Sequence, residues 1–122
     1  MLKDKLFKIT FSDHQEFTIQ ATLELDKNNE IFKGHFPGHP VLPGVCMLQM
    51  IKEVLEKTLT KHLMLTKADQ LKFLRLIDPG VDNSLQVAIN YTPEEYNQIK
   101  VTASIIALKD ICFKFKGTFL AI

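Results

Sequence analysis

Twelve residues, Gly34 to Val45 (GHFPGHPVLPGV), constrain this chain more than any other stretch. They carry three prolines, three glycines and two histidines just ahead of the longest helix-like pattern in the sequence. Proline fixes φ and glycine opens angles closed to other residues, so one or two of them suffice for a turn. A run this dense describes a backbone held in one shape, presenting a side chain or an amide to something outside it.

The period changes after it. From Val45, the residues Val45, Leu48, Gln49, Lys52, Glu53 and Glu56 oppose Met47, Met50, Ile51, Val54, Leu55 and Leu59 at helical spacing, predicting a helix whose apolar arc narrows after Ile51. Pro43 and Gly44 fall just before or inside its first turn, where a missing proline N–H costs nothing. Elsewhere the pattern alternates. Strands are expected at 6–11, 17–25, 67–77, 85–91, 99–108 and 111–120, with turns at Ser12–His14, Asp26–Glu30, Asp78–Gly80 and Thr92–Asn97 and an ambiguous connection from Lys61 to Thr66. On the second strand Phe17, Ile19, Ala21, Leu23 and Leu25 share one side. On the last, Ile111, Phe113 and Phe115 face one way and Cys112, Lys114 and Lys116 the other, with Gly117 marking a bulge or a change of side. One long helix after two strands and before four predicts an α+β chain, a single domain over 1–122 in which a curved antiparallel sheet of five to six strands wraps the helix.

The 122 residues, 46% hydrophobic and 24% charged with a formal net charge of +1, suit a globular protein with one core. That charge gives no argument for nucleic acid, and no run is long enough to span a bilayer. Cys46 and Cys112 lie in apolar pattern and read as buried thiols of a reducing compartment. The N-terminus leads into alternation rather than an apolar signal core, so a cytoplasmic protein is expected.

His35 leads the candidates for chemistry. A neutral imidazole fixed by glycine and proline can take a proton from carbon or oxygen, the alternative being a structural histidine bonded to a loop carbonyl. Phe36 is either a wall for an acyl chain or plain core. Gly44 and Val45, following Pro43, offer backbone N–H groups at a helix start, where charge building on an ester or thioester oxygen would be held. Gln49 is a polar residue in the second turn of an apolar run, on the face of Glu53 one turn later. Its amide can orient a hydroxyl or a water but is no useful acid. Glu53 has the chemistry of an acid, though the pattern places it at the surface. The lysines and Arg75 read as solvated face, with a patch for an acidic carrier as the alternative. His39, His14 and His62 lack metal-ligand spacing, and neither a metal nor a cofactor is expected.

These motifs resemble a known family. GHFPGHPVLPGV followed by an apolar helix is similar to the signature of the beta-hydroxyacyl-acyl carrier protein dehydratases of the hot-dog fold. LKFLRLIDPG (71–80) looks like their second block, and the short chain is also similar to the dehydratases of aryl polyene and flexirubin-type pigment clusters. The resemblance implies a homodimer joined edge to edge with two sites at the interface, a higher oligomer or a heterodimer with a paralogue being variants. It implies acyl carrier protein as partner and a (3R)-3-hydroxyacyl group, carried on its phosphopantetheine, as substrate. His35 matches the family's catalytic histidine, Gly44 the glycine whose amide holds the thioester carbonyl, and Pro43, Val45 and Phe36 would contact substrate. The family's acid, contributed by the other subunit, falls at Gln49, and Val81 stands where an aspartate is common. Three expectations follow: Gln49 positions the hydroxyl while His35 shuttles the proton; Glu53 has become the acid; or the chain is a non-catalytic carrier-binding subunit of an active paralogue. An acyl thioesterase on the same fold is a further alternative.

Overall fold

The computed structural model describes residues 1–33 and 40–122. His35, Phe36 and His39 lie outside the described residues. In chain order the elements are β1 (Phe7–Gln15), β2 (Thr18–Leu25), α1 (Gly44–Leu59), β3 (Leu63–Phe73), β4 (Ser84–Pro93), β5 (Gln98–Ala107) and β6 (Asp110–Ala121), with a short 3₁₀ turn at Glu30–Phe32. The strands form one six-stranded sheet in the order β1-β2-β4-β5-β6-β3, every neighbouring pair antiparallel. This is the hot-dog arrangement, with one long helix packed on the sheet.

Alternation produces the sheet's two faces. Ile19, Leu23, Leu85, Ile89, Val101 and Ile105 are buried on the inner face, against Met50, Ile51, Val54 and Leu55 of α1. Each fully buried side chain of this size contributes about 1.5–3 kcal/mol. The outer face is polar, with Thr18 bonded to Asn90 at 3.0 Å and Thr22 to Gln86 at 2.9 Å across β2 and β4. Helix α1 begins after Pro43 (φ −62°, ψ 145°) and ends at Thr60, whose left-handed φ of 55° lets its N–H reach the Glu56 carbonyl.

Several expectations are corrected. Ser12–His14 is not a turn: β1 continues to Gln15, and the reversal falls at Glu16, with φ of 53°. Phe17 therefore precedes β2 and lies exposed, edge-on to Tyr91 at 5.5 Å, rather than sharing the buried side of Ile19. The strand expected at 67–77 runs instead from Leu63 to Phe73, absorbing most of the ambiguous connection. Pairing with β6, not local pattern, sets its ends, and two bulges let it follow β6. In β6 a register shift opposite Ile105 and Ile106 leaves Cys112 as the extra residue. Cys112 is thereby buried and Ile111 exposed, the reverse of simple alternation. Gly117 sits where the Lys67 carbonyl of β3 comes too close for any Cβ.

The two sheet edges are β1 and β3. Near the second, Leu71, Phe73, Leu74 and Leu76 are exposed, together with Val45 at the helix start.

Candidate active site

The helix start is held from both sides. The Leu42 N–H donates to the Ile77 carbonyl at 2.9 Å, fixing the chain one residue before Pro43. The Pro43 carbonyl then accepts from Cys46 and Met47 at 3.0 and 3.3 Å. No backbone carbonyl among the described residues accepts from Gly44 or Val45. The helix dipole adds partial positive charge there, so these amides suit an oxygen that gains negative charge. Glycine at 44 has a steric reason: a Cβ would stand 2.5 Å from Phe73 Cε1. The Phe73 ring, stacked on Phe113 at 5.0 Å, therefore lies directly over the Gly44 backbone. A cleft of about 350 Å³ opens here, lined by Leu42, Gly44, Met47, Phe73, Leu74, Arg75 and Leu76. It is apolar apart from Arg75, and Val45, 75% exposed, stands beside its glycine.

Gln49 opens elsewhere. With Lys52, Glu53, Glu56, Lys57 and the N-terminal Met1 and Lys3 it lines a separate cleft of about 560 Å³. Five residues of helix turn position 49 well away from position 44, so one chain does not bring Gly44 and Gln49 together. The Gln49 side chain donates from Nε2 to Glu53 Oε2 at 2.8 Å.

Glu53 is not at the surface: it is 1% exposed. The chain's own N-terminus covers it. Leu2 N–H reaches both carboxylate oxygens at 3.0 and 2.9 Å, and Lys3 N–H reaches Oε1 at 2.8 Å. With Gln49, each oxygen accepts two N–H groups, so within the chain Glu53 anchors the first residues. Local sequence could not show this, because the donors lie about fifty positions away.

Arg75 is likewise not a solvated cation. Its Nη2 and Nη1 fork onto Asp82 Oδ1 and Oδ2 at 3.0 and 3.2 Å, and its Nε lies 3.3 Å from Asp110. Nη1 is also 3.4 Å from Cys112 Sγ. Bonding to Asp82 raises the guanidinium's affinity for its proton still further. Sequence reasoning noted the missing aspartate at Val81 and passed over Asp82; the available signal was an Arg and an Asp bracketing the Asp78-Pro79-Gly80 turn. Phe73 was also missed, since nothing in its strand pattern reveals the glycine beneath it. Cys46 and Cys112 are both buried and free. Among the described residues no helix is long and apolar enough to cross a membrane.

Comparison with known proteins gives the family and the fold. A family model described as ApeI-like, ApeI dehydratase, matches residues 11–111. The 3-hydroxyacyl-acyl-carrier-protein dehydratase FabZ of Lactobacillus helveticus is 30% identical over 95 residues, spanning 72% of this chain and 64% of that protein. The chain thus spans somewhat under two thirds of the length of that relative. Among solved structures, the dehydratase heterocomplex ApeI:P from Xenorhabdus doucetiae superposes with a TM-score of 0.78 at 21% identity, over 92% of this chain and 96% of that one. A thioesterase from Haemophilus influenzae shares the fold at a TM-score of 0.64 and 17% identity, over 97% and 80% of the two chains.

Proposed function

The chain belongs to the ApeI-like dehydratase family, and from that premise we propose that it eliminates water from a (3R)-3-hydroxyacyl thioester carried by acyl carrier protein. The observation that carries this reading is the Pro43–Gly44 helix start under Phe73, an amide pair at the mouth of an apolar cleft. Bound there, the thioester carbonyl accepts from the Gly44 N–H, which stabilises the enolate-like charge formed as the alpha proton leaves. His35 takes that proton and returns it to the 3-hydroxyl, which leaves as water as the C2–C3 double bond forms. The acyl chain lies along Phe73, Leu74 and Leu76. A product conjugated with an existing polyene is easier to form, which suits a pigment-type substrate.

The exposed apolar residues near the β3 edge support a dimer paired along that edge, with sites shared between subunits. Position 49 of one chain would then face the helix start of the other, which the separation of Gly44 and Gln49 within one chain requires. In a homodimer that position supplies an amide fastened to Glu53, not an acid. Lack of a positioned acid costs about 10²–10⁴ in rate. This favours a second form of the same reading, in which an acid-bearing paralogue occupies the other half of the dimer. The heterocomplex of the Xenorhabdus doucetiae relative is a precedent for such pairing.

Incubation with (3R)-3-hydroxyacyl-acyl carrier protein, read by intact mass, tests both forms. Loss of one water by the protein alone, abolished in His35→Ala, supports the homodimer. Loss only after co-expression with an acid-bearing homologue supports the heterodimer. Release of free acid instead would establish a thioesterase, and no turnover in either setting would overturn the dehydratase reading.

A further inference from the structure

The amides at the helix start are useful only if the backbone carrying them is fixed, and Pro43 supplies no side-chain cap. The fixing comes from across the molecule. The Leu42 N–H is held by the Ile77 carbonyl, and Ile77 belongs to the irregular segment between β3 and β4. That segment is closed on itself by a turn in which Val81 and Asp82 N–H groups return to the Asp78 carbonyl at 3.0 and 2.6 Å. At its centre is the Asp82 side chain, 3% exposed. One carboxylate oxygen accepts from the Asp78 N–H at 3.1 Å and from Arg75 Nη1, and the other accepts from Arg75 Nη2. Arg75 is in turn tied to the start of β6, its N–H donating to the Cys112 carbonyl at 3.3 Å.

We infer that Asp82 is a positioning residue for the candidate active site: through its fork with Arg75 and its bond to the Asp78 amide it holds the Ile77 carbonyl, and thereby Leu42 and the Gly44 amide, in register with Phe73. The catalytic part of the inference rests on the reading of the helix start as the carbonyl-binding element. A buried ion pair of this kind does not by itself imply added stability, since desolvation offsets much of the attraction. What the fork does impose is direction, because a planar guanidinium on a carboxylate fixes both groups. Among the described residues, segment 74–82 has no main-chain bond to a strand apart from those of Leu74 and Arg75 to Cys112.

Amide hydrogen exchange of the assembled protein tests the positioning separately from the chemistry. In Asp82→Asn the Leu42 amide should exchange about tenfold faster or more, while the Leu2 amide, anchored on Glu53, is unchanged. Turnover, measured with whichever partner supports it, should fall roughly 10- to 100-fold in kcat with little change in KM, the pattern of a displaced catalytic group rather than a lost binding contact. Arg75→Lys keeps the charge but loses the fork and should move both readouts the same way. Should either variant fail to fold, the wild type decides: Leu42, Asp78 and Asp82 amides should open together, with one denaturant dependence. An unchanged Leu42 rate in folded Asp82→Asn, unrelated opening of these amides in the wild type, or equal kcat in an active variant overturns the inference. Coupled exchange in a protein that dehydrates nothing would keep the clasp and sink the proposed function.

Discussion

Two buried carboxylates, Glu53 and Asp82, are satisfied in opposite ways. Among the described residues Glu53 has no cation: it accepts from two main-chain amides and one side-chain amide, all neutral donors. Asp82 takes a bidentate arginine and one main-chain amide. The first fastens the N-terminal residues to the outer face of α1, and the second fastens segment 74–82 beneath the helix start. Each oxygen of both carboxylates accepts at least one donor within the chain, although both are the residue type that a search for an acid would select. A carboxylate surrounded by donors is an anchor.

The largest effect is expected at Asp82. Asp82→Ala strips the Arg75 fork and the Asp78 N–H of their acceptor while Arg75 keeps Asp110, and unfolding free energy should fall by about 3 kcal/mol, measured by urea titration. A loss below 1 kcal/mol would show that water reaches the pair. Glu53→Ala should cost less, about 1–3 kcal/mol, because its donors are backbone amides that can turn to solvent as the N-terminus detaches. Exchange of the Leu2 and Lys3 amides should rise in step, and unchanged protection would refute the anchor. Gln49→Glu sharpens the contrast. It sets a second carboxylate at the hydrogen-bond distance now held by the amide, one helix turn from the first, so the N-terminal residues should loosen at neutral pH with a cost of about 1 kcal/mol. If that variant instead folds with full protection and gains dehydratase activity, Gln49 is simply a missing acid rather than a partner of Glu53. The smallest effect concerns the buried thiol of Cys46. Burial pushes the Cys46 thiol up. The folded chain keeps that proton where the unfolded chain releases it, so this contribution is intact below about pH 8.5 and lost as pH rises toward the raised value. Cys46→Ala should flatten the alkaline decline of the urea midpoint, and an unaltered slope would exclude the thiol as its source.

Much of the molecule was legible in the chain. The Gly/Pro run followed by helical period located the start of α1 to within a residue, and alternation gave β2, β4 and β5 nearly to their ends, because both signals are local. Legibility failed where pairing overrode pattern. β3 began earlier and ended sooner than its composition suggested because β6 defines it, and the bulge in β6 reversed Ile111 and Cys112. The same division holds for the site. Pro43, Gly44 and the Gln49–Glu53 spacing could be read directly, since caps and i,i+4 pairs lie within one turn.

By itself, then, the sequence determined the helix start, the two-faced strands and the family signature, all of which depend on residues within a few positions of each other. Only the tertiary structure decided that Glu53 is spent on the N-terminus, that Asp82 takes Arg75, that Phe73 covers Gly44, and that Gly44 and Gln49 open into different clefts. Those outcomes depend on desolvation and on hydrogen bonds between segments far apart in the chain. Whether a carboxylate is an acid or an anchor depends on which donors folding brings to it.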